Sequence, residues 1–264
     1  MTMAAEAPAA EAIQVAGGTT YYQRAGRGDP LVVIHDDFGL PGWLPFYQRL
    51  AESRTVYLPT LIGWGKSERP EWARDTRDIA IALRQTLTQL GLANVDVVGL
   101  GYGGWIAAEV ATMSPETFRN IVLVGPAGLL PPKGEYLDQF MVHSIEHVRD
   151  GFHDQAKFDA TFGEVPDLDR LEEWEINREM STRIFWSPYF YSQTLPHLLG
   201  AVKNRTLLVY GNDDMIVPYS VVEEYARVLP NASIERVDNC GHYVDIEQPD
   251  ALLKLIASFC TAKA

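Results

Sequence analysis

The chain has 264 residues, a net charge of −13, 47% hydrophobic and 22% charged residues; that length fits one large domain, or a domain with an insertion, and allows a sizeable core. The acidic balance argues against nucleic acid or an anionic membrane as partner, since both attract positive protein surface. No apolar run approaches the ~20 residues of a membrane span.

In chain order, residues 1–11 (MTMAAEAPAAE) lack the basic start and apolar centre of a signal peptide and are expected to form a disordered leader. Cys240 and Cys260 are the only cysteines, too few for a secreted disulfide framework, which fits a cytoplasmic protein. Residues 19–23, 31–35, 55–58, 95–100, 121–124, 207–210 and 234–237 read as strands. Leu31-Val-Val-Ile34 is the kind of run that suits a strand buried on both faces. Helical patterns fall between the strands. Residues 75–90 carry Ile79, Leu83, Leu87 and Leu90 at helical spacing, with Gly91 as the stop. Ser220-Val-Val-Glu223 has the spacing of a capping box and predicts another helix start. This alternation predicts an α/β fold with a mostly parallel central sheet flanked by helices.

Residues 131–200 change character: Pro131 and Pro132 open a strand-free, helix-like stretch with 13 acidic and 6 basic residues and 11 of the 28 Phe, Trp and Tyr. A helical insertion is expected here. Most of its aromatics would pack it to itself, and some would face the sheet and line an apolar pocket.

The motif with most to say is Gly99-Leu-Gly101-Tyr-Gly103-Gly104, which follows the strand at 95–100 and precedes a small-residue helix from Trp105. This is the layout of a nucleophile elbow, G-x-S-x-G, in which a strained strand-to-helix turn presents a side chain above a sheet. The nucleophile position is Gly101, which has no side chain. Downstream, Asp214 stands three residues after Gly211, and His242 follows Gly241 ahead of Glu247-Gln-Pro249. Pro30-Leu-Val-Val-Ile-His-Asp-Asp-Phe-Gly39 is similar to an oxyanion loop, H-G-x-x-G. Gly63-Trp-Gly-Lys-Ser67 with Pro70 is similar to the G-x-G-x-S loop after the next strand. With residues 118–129, which look like the strand leading into a cap, these motifs make the chain resemble an α/β-hydrolase of the capped carbon–carbon bond hydrolase and esterase type. The resemblance runs from about residue 12 to residue 262. It departs at Asp36, where the oxyanion loop has glycine, at Gly101, where the elbow has serine, and at Thr60, where aspartate is common.

The resemblance implies an α/β-hydrolase core at 1–130 and 201–264 with a helical cap at 131–200, a small-molecule substrate and no cofactor. It implies His242 as the base, Asp214 (rather than Asp213) as its orienting acid, and the amides of Tyr102 and Asp37 as an oxyanion hole. His242 would then activate water lodged over Gly101. The Asp37 carboxylate has two readings: a second acid/base group beside the void at Gly101, with a pKa raised by burial, or, with Asp36, a solvent-facing group that caps the turn near Pro41. His35, Asp36, Phe185, Trp186, Tyr189 and Tyr243 are candidates for the substrate pocket. Gly101 has three readings: a natural glycine serving chemistry without an acyl-enzyme, an engineered removal of serine, or an idle site. The functions that follow are hydrolysis of a small apolar or aromatic substrate, cofactor-independent proton abstraction of lyase or dioxygenase type, and ligand binding without catalysis. A homodimer is left open.

Four other patterns are read as incidental. Gly99-x-Gly101-x-x-Gly104 matches a dinucleotide fingerprint, but no acidic residue closes the next strand. Gly65-Lys-Ser67 lacks the upstream glycine of a phosphate loop, since that position is Thr60. His143-Ser-Ile-Glu146-His147 matches H-x-x-E-H without an evident third ligand, and a solvated helix face with no metal is expected. Cys240, two residues before His242, shows no electropositive setting that would make its thiol a nucleophile.

Overall fold

Residues 7–261 are described by the computed structural model. Eight strands form one sheet: β1 (Glu11–Val15), β2 (Gly18–Gly26), β3 (Pro30–Ile34), β4 (Thr55–Pro59), β5 (Val95–Leu100), β6 (Phe118–Val124), β7 (Arg205–Gly211) and β8 (Ala232–Val237), in the order β1-β2-β4-β3-β5-β6-β7-β8. The pairs β1·β2 and β2·β4 are antiparallel and the rest are parallel. The helices are α1 (Pro45–Leu50), α2 (Thr76–Gln89), α3 (Tyr102–Met113), α4 (Ser144–Asp150), α5 (Gln155–Phe162), α6 (Leu168–Phe185), α7 (Leu195–Leu198), α8 (Tyr219–Val228), α9 (Val244–Glu247) and α10 (Pro249–Thr261).

Alternation along the strands divides the core in two, because successive strand side chains point to opposite faces. Val32, Ile34 and Val97 pack with Ile79 and Leu83 of α2 and Ile106 and Val110 of α3. Leu31, Val33 and Val98 pack with Phe46 and Tyr47 of α1 and Leu252 and Ile256 of α10. Every residue of β5 is buried, including Asp96. That carboxylate accepts hydrogen bonds from Arg119 Nε at 2.9 Å and Asn120 Nδ2 at 2.8 Å and pairs with Arg54. Burial works against its ionisation, but these donors outweigh it and hold the carboxyl below the usual range.

Two expectations are corrected. The leader was expected to run to residue 11, yet Glu11 opens β1, which pairs with β2 in register from Glu11↔Tyr22 to Val15↔Gly18; residues 1–6 lie outside the described residues. The capping box at Ser220 is not formed. Pro218 stands at the N-cap of α8, and Ser220 Oγ bonds the Lys133 carbonyl instead.

Between β6 and β7 the chain forms α4 to α7 and contributes no strand to the sheet. The expected cap, 131–200, falls within this stretch. Val148, Phe152, Phe158 and Trp174 make a third apolar cluster that closes on Phe38 from the core. Polar ties seat the segment on the loops that follow β3, β4 and β8. Asn177 Nδ2 donates to the Phe38 carbonyl at 2.9 Å and its Oδ1 accepts from Gly65 N at 2.8 Å. Arg170 donates to the carbonyls of Leu40 and Pro41, both at 3.1 Å, and the His242 amide donates to the Gly151 carbonyl at 2.7 Å. Among the described residues no helix is long and apolar enough to cross a membrane.

Candidate active site

Gly101 joins β5 to α3 with φ +50° and ψ −114°, a left-handed backbone that favours glycine. Its neighbours are glycines for a steric reason. A Cβ on Gly99 would stand 2.6 Å from both the Gly103 carbonyl oxygen and the Gly104 Cα, and one on Gly103 would collide with the carbonyls of Ile34 and His35. The tight elbow is thus built as the motif predicts. The space above it is not a void. A Cβ on Gly101 would lie within 2.6 Å of all three atoms of the Asp36 carboxylate.

Asp36 reaches this position from the loop after β3. Its Oδ1 accepts from Tyr102 N at 2.7 Å and from Asp37 N at 2.9 Å, the two amides expected to form the oxyanion hole. Its Oδ2 lies 3.1 Å from His242 Nε2. On the other side of the imidazole, His242 Nδ1 is 2.8 Å from Asp214 Oδ2. The far oxygen of Asp214 accepts from Ile216 N at 2.8 Å and Val217 N at 2.9 Å, which anchors the carboxylate beside the ring. Asp213, the neighbour, instead pairs with His153 at 3.0 Å near the surface. Glu247 positions the histidine loop by accepting from Gly241 N at 2.6 Å and from Asp154 N at 2.8 Å.

The electrostatics follow from this geometry. Burial alone would lower the His242 pKa. Two flanking carboxylates, Asp214 first and then Asp36, push it well above the usual imidazole range. Burial likewise opposes ionisation of Asp36, yet the bond from His242 and the two amides hold its carboxyl below the usual value. These two shifts pair an ionised Asp36 with a protonated His242. Asp37 behaves in the opposite way: burial, and then the charge of Asp36, raise its pKa well above the ordinary value. Its Oδ2 accepts from Gln139 Nε2 at 2.7 Å and its carbonyl accepts from Trp64 Nε1 at 2.6 Å.

The reading that Asp36 and Asp37 face solvent is corrected, since both are buried. The water expected over Gly101 is also corrected, because Asp36 fills that place. Of the pocket candidates, His35, Asp36 and Tyr243 line the cleft above the elbow, together with Phe38, Tyr47, Val148, Phe162, Trp174, Asp245 and Ile246. His35 is fixed there by Leu61 N, which donates to Nε2 at 2.9 Å, so Nδ1 carries the proton and donates to the Asp36 carbonyl at 2.6 Å. Burial drops its pKa to about 4. Phe185, Trp186 and Tyr189 are not part of this cleft. Phe185 packs on Tyr102 and Phe190, with ring centroids 4.8 and 4.9 Å away. Trp186 is 65% exposed. The Tyr189 hydroxyl donates to the Leu137 carbonyl at 2.9 Å.

Sequence reasoning missed the position of Asp36 and the residues Phe38, Trp174 and Asp245. Among the described residues no group of His, Cys, Asp or Glu is placed to hold a metal ion. In the H-x-x-E-H stretch, Glu146 bonds the His143 amide at 3.3 Å and His147 is buried against Phe38, not on a solvated face. Cys240 is buried, and burial pushes its thiol pKa up, away from thiolate chemistry.

The sheet order, the elbow and the Asp214–His242 pair carry the pattern that the sequence motifs resemble, and the alpha/beta hydrolase family model matches residues 31–255. The chain belongs to that family. A 2-hydroxymuconate semialdehyde hydrolase of Pseudomonas sp. (strain CF600) is 28% identical over 94% of this chain and 92% of its own length. Among solved structures, a bacterial membrane phospholipase A superposes with a TM-score of 0.81 at 23% identity, covering 96% of this chain and 85% of that one. The 2-hydroxy-6-oxo-6-phenylhexa-2,4-dienoate hydrolase of a Rhodococcus species gives a TM-score of 0.74 at 22% identity, covering 96% and 100%. At those identities the two structures speak for the fold alone. As an enzyme the chain falls in the hydrolase class with its curated relatives.

Proposed function

We propose that this hydrolase acts on a small apolar or aromatic substrate with the Asp36 carboxylate as nucleophile, while His242 and Asp214 serve the hydrolytic step. The observation that carries the reading is the Asp36 carboxylate above Gly101, with one oxygen on both oxyanion-hole amides and the other at His242. With those amides taken, a substrate carbonyl has no hole in which to develop an oxyanion, so attack in the manner of a serine esterase is obstructed. Attack by Oδ2 on a saturated carbon meets no such obstacle. It yields an ester of Asp36 whose carbonyl oxygen, Oδ1, already lies where an oxyanion will form when water attacks. Esterification also removes the negative charge beside His242, which lets the imidazole give up its proton and act as base on that water. The proton-abstraction alternative needs a neutral imidazole at rest, and two flanking carboxylates oppose that. An aromatic substrate is supported by the Phe38, Phe162, Trp174 and Tyr243 lining.

The test is a single turnover in H2 18O with a panel of small aromatic electrophiles, styrene oxide and benzyl chloride among them. The first product is expected to carry 16O from Asp36, with 18O appearing in a peptide that contains Asp36. His242→Gln should accumulate the Asp36 ester, seen as added protein mass. Product that takes 18O in its first turnover, with no label in the peptide, would mean that water attacks directly. Binding without turnover would favour a ligand-binding protein.

A further inference from the structure

Asp245 is a buried carboxyl that the steps above do not use. It stands three residues beyond His242, at the second position of α9, and it lines the same cleft as Asp36, Gly101 and His242. The groups that face it come from three elements: Tyr47 of α1, whose hydroxyl is 3.5 Å from Asp245 Oδ2, Asp36 from the loop after β3, and His242 from its own loop. Most of the remaining wall is aromatic or aliphatic: Phe38, Leu100, Val148, Phe162, Trp174 and Ile246. A second carboxyl among such residues stands beside one that is already ionised, and the His242 imidazolium that faces it is held at both ring nitrogens by Asp214 and Asp36.

Resting on the nucleophile reading, we propose that Asp245 is the acid that protonates the leaving oxygen of the substrate, and that the substrate class is therefore one whose carbon–oxygen bond breaks at the attacked carbon, as in an epoxide. Burial and then the charge of Asp36 raise its pKa to about 7, so Asp245 keeps its proton where Asp36 has lost one. Two carboxyls pushed apart in this way divide acid and base work between them. The proton count closes. Oδ2 of Asp36 forms the bond to carbon; the carbon–oxygen bond breaks, its electron pair stays on the leaving oxygen, and that oxygen takes the Asp245 proton. His242, no longer facing a charged Asp36, returns a proton to Asp245 and becomes the base. It then takes a proton from water as hydroxide adds to Cγ of the ester. Collapse expels the alkoxide, which takes the His242 proton, and the new Asp36 carboxylic acid passes its proton to His242. The sum is epoxide plus water giving diol.

The experiment compares styrene oxide, which expels an alkoxide, with benzyl chloride, which expels an ion that needs no proton. In the parent, turnover of styrene oxide is expected to fall as pH rises through about 7, with no such limb for benzyl chloride. Asp245→Asn should cut styrene oxide turnover by at least ~10²-fold, the range for a positioned general acid, and leave alkylation of Asp36 by benzyl chloride nearly unchanged. Equal loss with both probes would mark Asp245 as structural and overturn the proposal while leaving the Asp36 nucleophile intact. No loss with either probe would overturn it too. If Asp245→Asn does not fold, the parent pH profiles decide, since matching profiles for the two probes contradict the assignment. Absence of any Asp36 ester in His242→Gln with either probe removes the nucleophile reading and the Asp245 role with it.

Discussion

At position 101 a side chain and the Asp36 carboxylate compete for the same space. Gly101→Ser alone is therefore expected to destabilise the protein by about 1–3 kcal/mol, the range for overpacking a core, read as a drop of several degrees in Tm. Asp36→Gly in the same chain should relieve the clash and return most of that loss. The double variant rebuilds a serine at the elbow beside His242–Asp214 and frees the two amides of Tyr102 and Asp37. It should acquire labelling by a fluorophosphonate probe, while the parent mass stays unchanged under the same treatment. A double variant no more stable than Gly101→Ser would show that the two positions do not share space in solution.

At the scale of elements, the buried side chain of Asn177 helps to fasten α6 over the site. Asn177 accepts from Gly65 N and donates to the Phe38 carbonyl, so it ties the loops after β4 and β3 to the same helix turn. Asn177→Ala leaves both backbone groups without that partner and should cost about 1–3 kcal/mol. The Phe38 loop also carries Asp36, so KM is expected to rise with the stability loss, and a chemical melt with steady-state kinetics would read both. Elements such as β3, β5 and β7 were legible in the sequence because burial on both faces gives them apolar runs, residues 31–34, 97–98 and 207–210 among them. β1 was not, since its five residues carry only Ile13 and Val15 as large apolar side chains. Gly101, Asp214 and His242 were legible because each sits in a local motif. Asp36 was not, because its role depends on a turn that brings the loop after β3 to the start of α3, 66 residues along. The aromatic wall was misassigned for a related reason. Spacing within 131–200 marks which residues are aromatic and says nothing of which side of α6 faces the cleft.

Across the whole molecule, the two ends of the parallel sheet treat buried charge differently. At one end Asp96 is neutralised by arginines; at the other Asp36 is neutralised by a histidine, a partner that can itself lose its charge. The folded Asp36 carboxyl lies below its unfolded value of ~3.9, and the folded imidazole of His242 lies above its unfolded value of ~6.5. The Asp36 contribution is thus complete above ~pH 4 and lost as pH falls through its folded value. The His242 contribution is complete below ~pH 6.5 and lost as pH rises through its folded value. The stability difference between the parent and Asp36→Asn should then be greatest between ~pH 4 and 6.5 and shrink on either side. Urea melts across that range would measure it, and a pH-independent difference would contradict the carboxylate–imidazolium pairing.

The crowding at Gly101 also constrains history. From the arrangement this chain resembles, a glycine at position 36 and a serine at position 101, an aspartate arriving first would meet the serine Cβ where its carboxylate now lies, at the ~1–3 kcal/mol cost of an overpacked site. Losing the serine first avoids that cost but passes through a site with neither group. The first route keeps the old nucleophile and strains the fold; the second keeps the fold and gives up the old reaction. Ancestors reconstructed along the lineage should show which was taken, with glycine at both positions marking the second.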